Sequence, residues 1–466
     1  MKTTTEFMAA HRHRHTEAHK TKPEFDPRLV SDQIGSVLLY GTFGVLLFGP
    51  VAFGAVEPWS IFILETSSVL LVLLWLAKQW LDGELKIQWN PLFLPMAGFA
   101  VLILIQIVAR RSAYLHDTVS GALLYIAYAM LCFLASQTLQ RTSQARKLTV
   151  IFVLYGFTLA AFALVQGIAS NGKLFWLRQP RQGGWIYGSY VNHNHYAGLM
   201  ELLIPIPLVL SLTRMAHHKQ RAAAGITAAI MTGTVFLSGS RGGMLALVVE
   251  LMVFAIILLR YKKGLRIALG VGAFAVVLVS LLVWLGGSQL TERVSSISTE
   301  AHTEITGGTR LSIDRDALRM FLHKPLLGWG LRTFPVVYPQ FRSFYTNFFI
   351  NEAHNDYLQL LAEMGLLGFA VMVWFVVLFY RQSFRKISNW TSDMSGAVTL
   401  ACMLGSTGIL VHSLFDFNLQ IPANAALFYV FCTIAAAPPL LQRVRKRRPE
   451  PGAPENEEVV PASEVG

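Results

Sequence analysis

Twelve stretches of this chain are apolar for long enough to cross a bilayer, which limits the folds open to it more than any single motif does. A transmembrane helix needs about 20 apolar residues, and within the bilayer only helices and closed barrels satisfy every backbone polar group. Bounded by charge or by Gly, Pro and Asn, the runs fall near 33–54, 60–80, 91–109, 119–136, 148–169, 194–213, 222–238, 243–259, 266–285, 357–380, 397–414 and 423–441. Composition agrees: 53% of the 466 residues are hydrophobic and 14% are charged, against roughly 25% charged in a soluble domain. The expected fold is an all-α polytopic membrane protein of about 12 spans, and a soluble reading is excluded.

The expected layout is a basic cytoplasmic tail over 1–32, nine spans over 33–285, a large periplasmic loop with short amphipathic helices over 286–356, three spans over 357–441, and a Pro- and Glu-rich cytoplasmic tail over 442–466. The first run follows a long polar leader and exceeds the length of a signal-peptide core, so it is expected to remain as a span. Cys132, Cys402 and Cys432 each fall in an apolar run and read as small packing residues, with no disulfide framework or zinc site. Glu65, Glu201, Glu250 and Glu363 also fall within apolar runs. Intramembrane acids are functional candidates, and hydrogen bonding between helices accounts for them equally well.

An even span count returns both termini to one side, and an excess of Lys and Arg marks that side as cytoplasmic. Of the 39 Lys and Arg, 26 fall there, including Arg260, Lys262, Lys263, Arg266 and the terminal group from Arg443 to Arg448. The formal net charge of +12 is thereby accounted for without a nucleic acid partner. Eleven of the 13 external cations lie in three loops, 170–193, 239–242 and 286–356, which share one face. Their concentration points to an anionic ligand, although long loops also translocate regardless of charge.

Four segments on that face carry the candidate chemistry. Ser238-Gly-Ser240-Arg241-Gly242-Gly243 opens a span. Free N–H groups at a helix start carry partial positive charge, so small residues together with Arg241 can cradle phosphate oxygens, with Ser240 among the ligands. The same segment also fits a tight turn with Arg241 reaching lipid headgroups. Asn192-His193-Asn194-His195 enters another span, and Asn192 and Asn194 suit sugar hydroxyls or phosphate. Helix capping is the plainer alternative, and a metal site lacks further ligands at the right spacing. Thr309 to Phe321 reads as an amphipathic interfacial helix, in which Arg310 can meet phosphate bidentately or pair with Asp314. His354-Asn355-Asp356 stands where the tenth span begins. An imidazole there can take a proton from an attacking hydroxyl, and Asn355 or Asp356 can cap the helix and hold the ring.

In this order the motifs resemble the O-antigen ligase and polymerase superfamily of polytopic glycosyltransferases. The resemblance runs through Ser238 to Gly243, Arg310, His323-Lys-Pro-Leu-Leu-Gly-Trp-Gly330, and His354-Asn-Asp-Tyr-Leu-Gln-Leu-Leu-Ala-Glu-Met-Gly-Leu-Leu-Gly368, covering about residues 190–375. It implies transfer of a glycan from undecaprenyl diphosphate to an acceptor hydroxyl at the periplasmic face of the bacterial inner membrane, without metal or other cofactor. It also implies that Arg241 and Arg310 engage the diphosphate and that His354 acts as base or orients the acceptor. Partners would then be the lipid-linked donor, lipid A core or a growing glycan as acceptor, and membrane lipids. Ligases, O-antigen and exopolysaccharide polymerases and protein O-oligosaccharyltransferases share these motifs. The compact His-Asn-Asp to Gly-x-x-Gly module favours the ligase-like reading. A 12-span transporter or flippase would be expected to show repeated halves with paired broken helices, and no first-half counterpart of the motifs is present.

Overall fold

The computed structural model describes residues 27–179, 186–261, 307–346 and 349–441. Its longer helices are α1 (Pro27–Val51), α2 (Pro58–Asp82), α3 (Phe93–Val108), α4 (Leu115–Thr138), α5 (Thr142–Ile168), α6 (His193–Leu203), α7 (Pro205–Leu212), α8 (His218–Ser238) and α9 (Arg241–Arg260). After residues 262–306 follow α10 (Gly307–His323), the single turn α11 (Phe334–Val337), α12 (Asp356–Lys386), α13 (Met394–His412) and α14 (Pro422–Ala436). Among the described residues the chain is an all-α polytopic membrane protein with nine segments long and apolar enough to cross a bilayer. The shorter apolar α3 and α14 occupy two further expected spans. The expected ninth span, 266–285, and most of the two expected tails lie outside the described residues.

Local sequence sets the breaks. Pro205 lacks an N–H, so the run 194–213 forms two helices, α6 and α7, that meet at Ile204. Gly365, at φ +65°, interrupts α12. The segment 325–331 docks into that interruption: Trp329 and Gly330 N–H donate to the carbonyls of Ala362 and Glu363, at 3.0 and 2.9 Å, and Leu366 N–H donates to Pro325 at 2.8 Å. The Glu363 carboxylate accepts from Arg332 N–H (2.7 Å) and Phe334 N–H (3.1 Å). This intramembrane acid therefore fastens the large loop to α12.

α6, α13 and α14 are almost wholly buried and form the centre of the bundle, while the outer faces of α2, α5 and α12 carry exposed Leu, Val and Phe. Small residues make the close approach in the centre possible. A Cβ on Gly405 of α13 would stand 2.8 Å from the Leu202 carbonyl oxygen of α6.

The helix ends sort into two layers. At one end Leu441 N–H donates to Gln140 (2.8 Å), Arg214 N–H donates to Thr391 (2.7 Å) and Lys386 Nζ reaches the Ala437 carbonyl (2.7 Å). The starts of α2, α4, α6, α9, α12 and α14 and the finish of α13 gather at the other end. α10 lies there against α12, burying Ile313, Ala317 and Met320 while Leu311, Leu318 and Leu322 remain exposed. It thus has an inner apolar face toward the protein and an outer leucine stripe, as an interfacial helix requires.

Candidate functional site

The site is assembled from helix termini. Asn192 caps α6, accepting from Asn194 N–H at 2.8 Å. Ser240 caps α9, accepting from Gly243 N–H at 3.1 Å. Asn355 caps α12, accepting from Tyr357 and Leu358 N–H at 3.1 and 3.2 Å. Each cap satisfies donors that a helix start otherwise leaves open. Arg241 is exposed at the first position of α9, and Asn194 is buried in the first turn of α6.

His354 precedes the α12 cap with φ +56°, a left-handed backbone that only a few per cent of non-glycine residues adopt. Its Nδ1 stands 3.6 Å from Asp416 Oδ1, just beyond hydrogen-bond range. His195, from the first turn of α6, faces the same oxygen through Nε2 at 3.8 Å. The Phe417 ring lies edge-on to both imidazoles, with centroids 4.8 Å from His354 and 4.7 Å from His195. Arg310 reaches this turn from α10: its Nη1 donates to the Phe415 carbonyl at 3.1 Å. Arg310 Nε is buried without a hydrogen-bond partner, an unmet donor beside two imidazoles and a carboxylate.

Asp356 holds the turn in place. Its carboxylate accepts from Ser413 Oγ (2.8 Å), Leu419 N–H (3.0 Å) and Gln420 Nε2 (3.2 Å). The residue after the α12 cap thus anchors the segment that presents Asp416 to His354. Burial opposes the charge on Asp416, which is 1% exposed. The facing His354, with His195 and Arg310, outweighs burial and holds the carboxyl below the ordinary carboxylate range. Asp314 behaves differently: burial raises its pKa to about 6, against the opposing pull of His354 and Arg310.

Of the residues expected from sequence, Arg310, His354 and Asp356 meet at one turn, while Asn192, Ser240 and Asn355 serve as caps around it. Arg241 adjoins the turn through its neighbour Gly242, where a Cβ would meet the His412 ring at 2.8 Å. Asp416, His412, Phe417 and the imidazole of His195 as a partner of Asp416 were not among the expected residues. The available signal was His412-Ser-Leu-Phe-Asp416, two ionisable groups four apart where an apolar run ends. Among the described residues, no group of three or more His, Cys, Asp or Glu is placed to hold a metal ion. The arrangement can hold an anion on guanidinium groups and accept a proton on an imidazole that a carboxylate faces.

No curated protein matches the chain. Residues 226–373 match the O-antigen ligase family, a stretch that contains Arg241, Arg310 and His354 and stops short of Asp416. Over that stretch, about a third of the chain, the protein is similar to the O-antigen ligase family.

Proposed function

We propose that the protein is an inverting, metal-independent glycosyltransferase that moves a glycan from undecaprenyl diphosphate to an acceptor hydroxyl, with lipid A core as the acceptor. The reaction would take place at the periplasmic face of the bacterial inner membrane, with both termini in the cytoplasm. The observation that carries this reading is the meeting of Arg310 and His354, 44 positions apart in sequence, on the single turn 415–416. The family match and the cations gathered on the external loops support it.

The chemistry follows from the groups present. The acceptor oxygen attacks the anomeric carbon while the bond from that carbon to the phosphate oxygen breaks, and the electron pair leaves with the diphosphate. Arg310 and Arg241 stabilise the charge that builds there. The hydroxyl proton passes to His354, and Asp416 stabilises the imidazolium that results. Attack opposite the departing group inverts the anomeric centre, and fixed positioning of both reactants lowers the entropic part of the barrier.

The test is reconstitution of the purified protein with an undecaprenyl-diphosphate-linked repeat unit, with and without lipid A core. Glycan appearing on the core only when core is supplied is the expected result. Elongated lipid-linked chains from donor alone would instead make the protein a polymerase.

A further inference from the structure

Beneath the site lies an interior hydrogen-bonded contact that the reaction scheme above leaves unused. His412 Nδ1 and Glu201 Oε1 share a hydrogen bond of 2.8 Å between α13 and α6. Glu201 is 0% exposed and His412 is 1% exposed. The second Glu201 oxygen, Oε2, is buried with no hydrogen-bond partner. Burying such groups away from water is costly unless they are paired, so a pair kept next to a reaction site calls for a reason.

The neighbours supply one. The two glycines after Arg241 lie directly on the pair. A Cβ on Gly242 would stand 2.8 Å from both Cδ2 and Nε2 of His412, and one on Gly243 would stand 3.1 Å from Glu201 Oε1 and 2.7 Å from the Ala197 Cβ. The first turn of α9 therefore rests on the His412 ring and the Glu201 carboxyl with no room for a side chain. The same His412 starts the turn that carries Asp416, because its carbonyl accepts from Phe415 and Asp416 N–H at 2.8 and 3.1 Å. Glu201 belongs to α6, the helix that presents His195. One contact thus connects the backbone under Arg241, the turn under Asp416 and the helix under His195.

We infer that Glu201 and His412 are positioning residues that set the spacing between Arg241 and the His354–Asp416 turn, and so govern binding of the lipid diphosphate. The inference rests on the transferase reading for its substrate.

The test uses full-length protein in nanodiscs and two readouts: equilibrium binding of undecaprenyl diphosphate, which needs no acceptor, and initial transfer rates against donor concentration. Gly242→Ala, whose methyl group meets the His412 ring, is expected to weaken binding and raise donor KM about tenfold with kcat within about threefold. Glu201→Leu is expected to do the same. Glu201→Gln keeps an acceptor for the imidazole and is expected to stay within about twofold of wild type. His412→Ser removes the same contact and is expected to weaken binding as Glu201→Leu does. Unchanged binding and KM in Gly242→Ala and Glu201→Leu would overturn the inference, as would a proportional loss of kcat and folded protein with KM unchanged. Wild-type protein that binds undecaprenyl diphosphate but transfers nothing would overturn the transferase reading alone, and the binding data would still decide the positioning role. Wild-type protein that binds none would overturn both.

Discussion

His354 and Asp416 face each other at 3.6 Å across the mouth of the bundle, and the imidazole rests edge-on against Phe417, the residue beside the carboxylate. The ring is therefore fixed by a charge on one side and an apolar wall on another. An imidazole held this way is restricted in orientation. Asp416→Asn, which preserves shape and removes charge, is expected to lower kcat on the order of 100-fold, the lower end of what a positioned base contributes. The protein should still insert and bind donor, which is checked by steady-state kinetics alongside donor binding.

Arg310 is anchored through one guanidinium nitrogen on the Phe415 carbonyl. Lysine keeps the charge but not the planar fork. Arg310→Lys is expected to raise donor KM about tenfold, roughly 1.4 kcal/mol of lost binding, and Arg310→Ala is expected to abolish measurable transfer. Rates measured against donor concentration at fixed acceptor check both.

Glu352 supplies a pH signature. Burial, with Glu363 beside it, raises its pKa from 4.5 to about 8, and the Gln359 amide that donates to it only partly offsets this. The folded-state value lies above the unfolded one, so the folded protein holds this proton more tightly. Its contribution to stability is complete below pH 4.5, declines as pH rises and is gone above about 8. Glu352→Gln resembles the protonated acid and is expected to match wild type near the acid limit and exceed it in melting temperature at about pH 9. Thermal unfolding in detergent at the two pH values checks the sign.

Asp356 accepts three hydrogen bonds from the 413–420 segment. Asp356→Ala leaves those donors buried and unmet and is expected to cost about 3 kcal/mol or more, at about 1 to 3 kcal/mol for each unsatisfied donor. Activity should fall further than stability, because the turn presents Asp416. Melting temperature and kcat measured together separate the two effects.

Much of the fold was legible because hydropathy and helical period are local properties. Eleven of the twelve expected spans coincide with described helices, and α10 was visible in the spacing of Leu311, Leu318 and Leu322. The capping roles of Asn192 and Asn355 were open alternatives in the sequence, because Asn at a helix start serves the backbone as readily as a ligand, whereas the cap made by Ser240 was not among the alternatives for its segment. The role of Glu363 was not legible, since its partners are backbone N–H groups of a loop about 30 residues away. Asp416 escaped for a related reason. Its partners come from α6, α10 and the residues preceding α12, and no periodicity within its own segment reports an association made across the bundle.

The family match ends at residue 373, yet the carboxylate opposite His354 arrives only with the turn between α13 and α14. A chain emerging from the ribosome therefore displays every motif of the resemblance before it carries the carboxylate that faces His354. The first 373 residues carry Arg241, Arg310 and His354 but not Asp416. On the proposed mechanism, competence would await α13 and the turn that Asp356 fastens through Ser413, Leu419 and Gln420. On that mechanism, a product released before residue 416 would be inert, and the reaction would begin only on a nearly finished molecule.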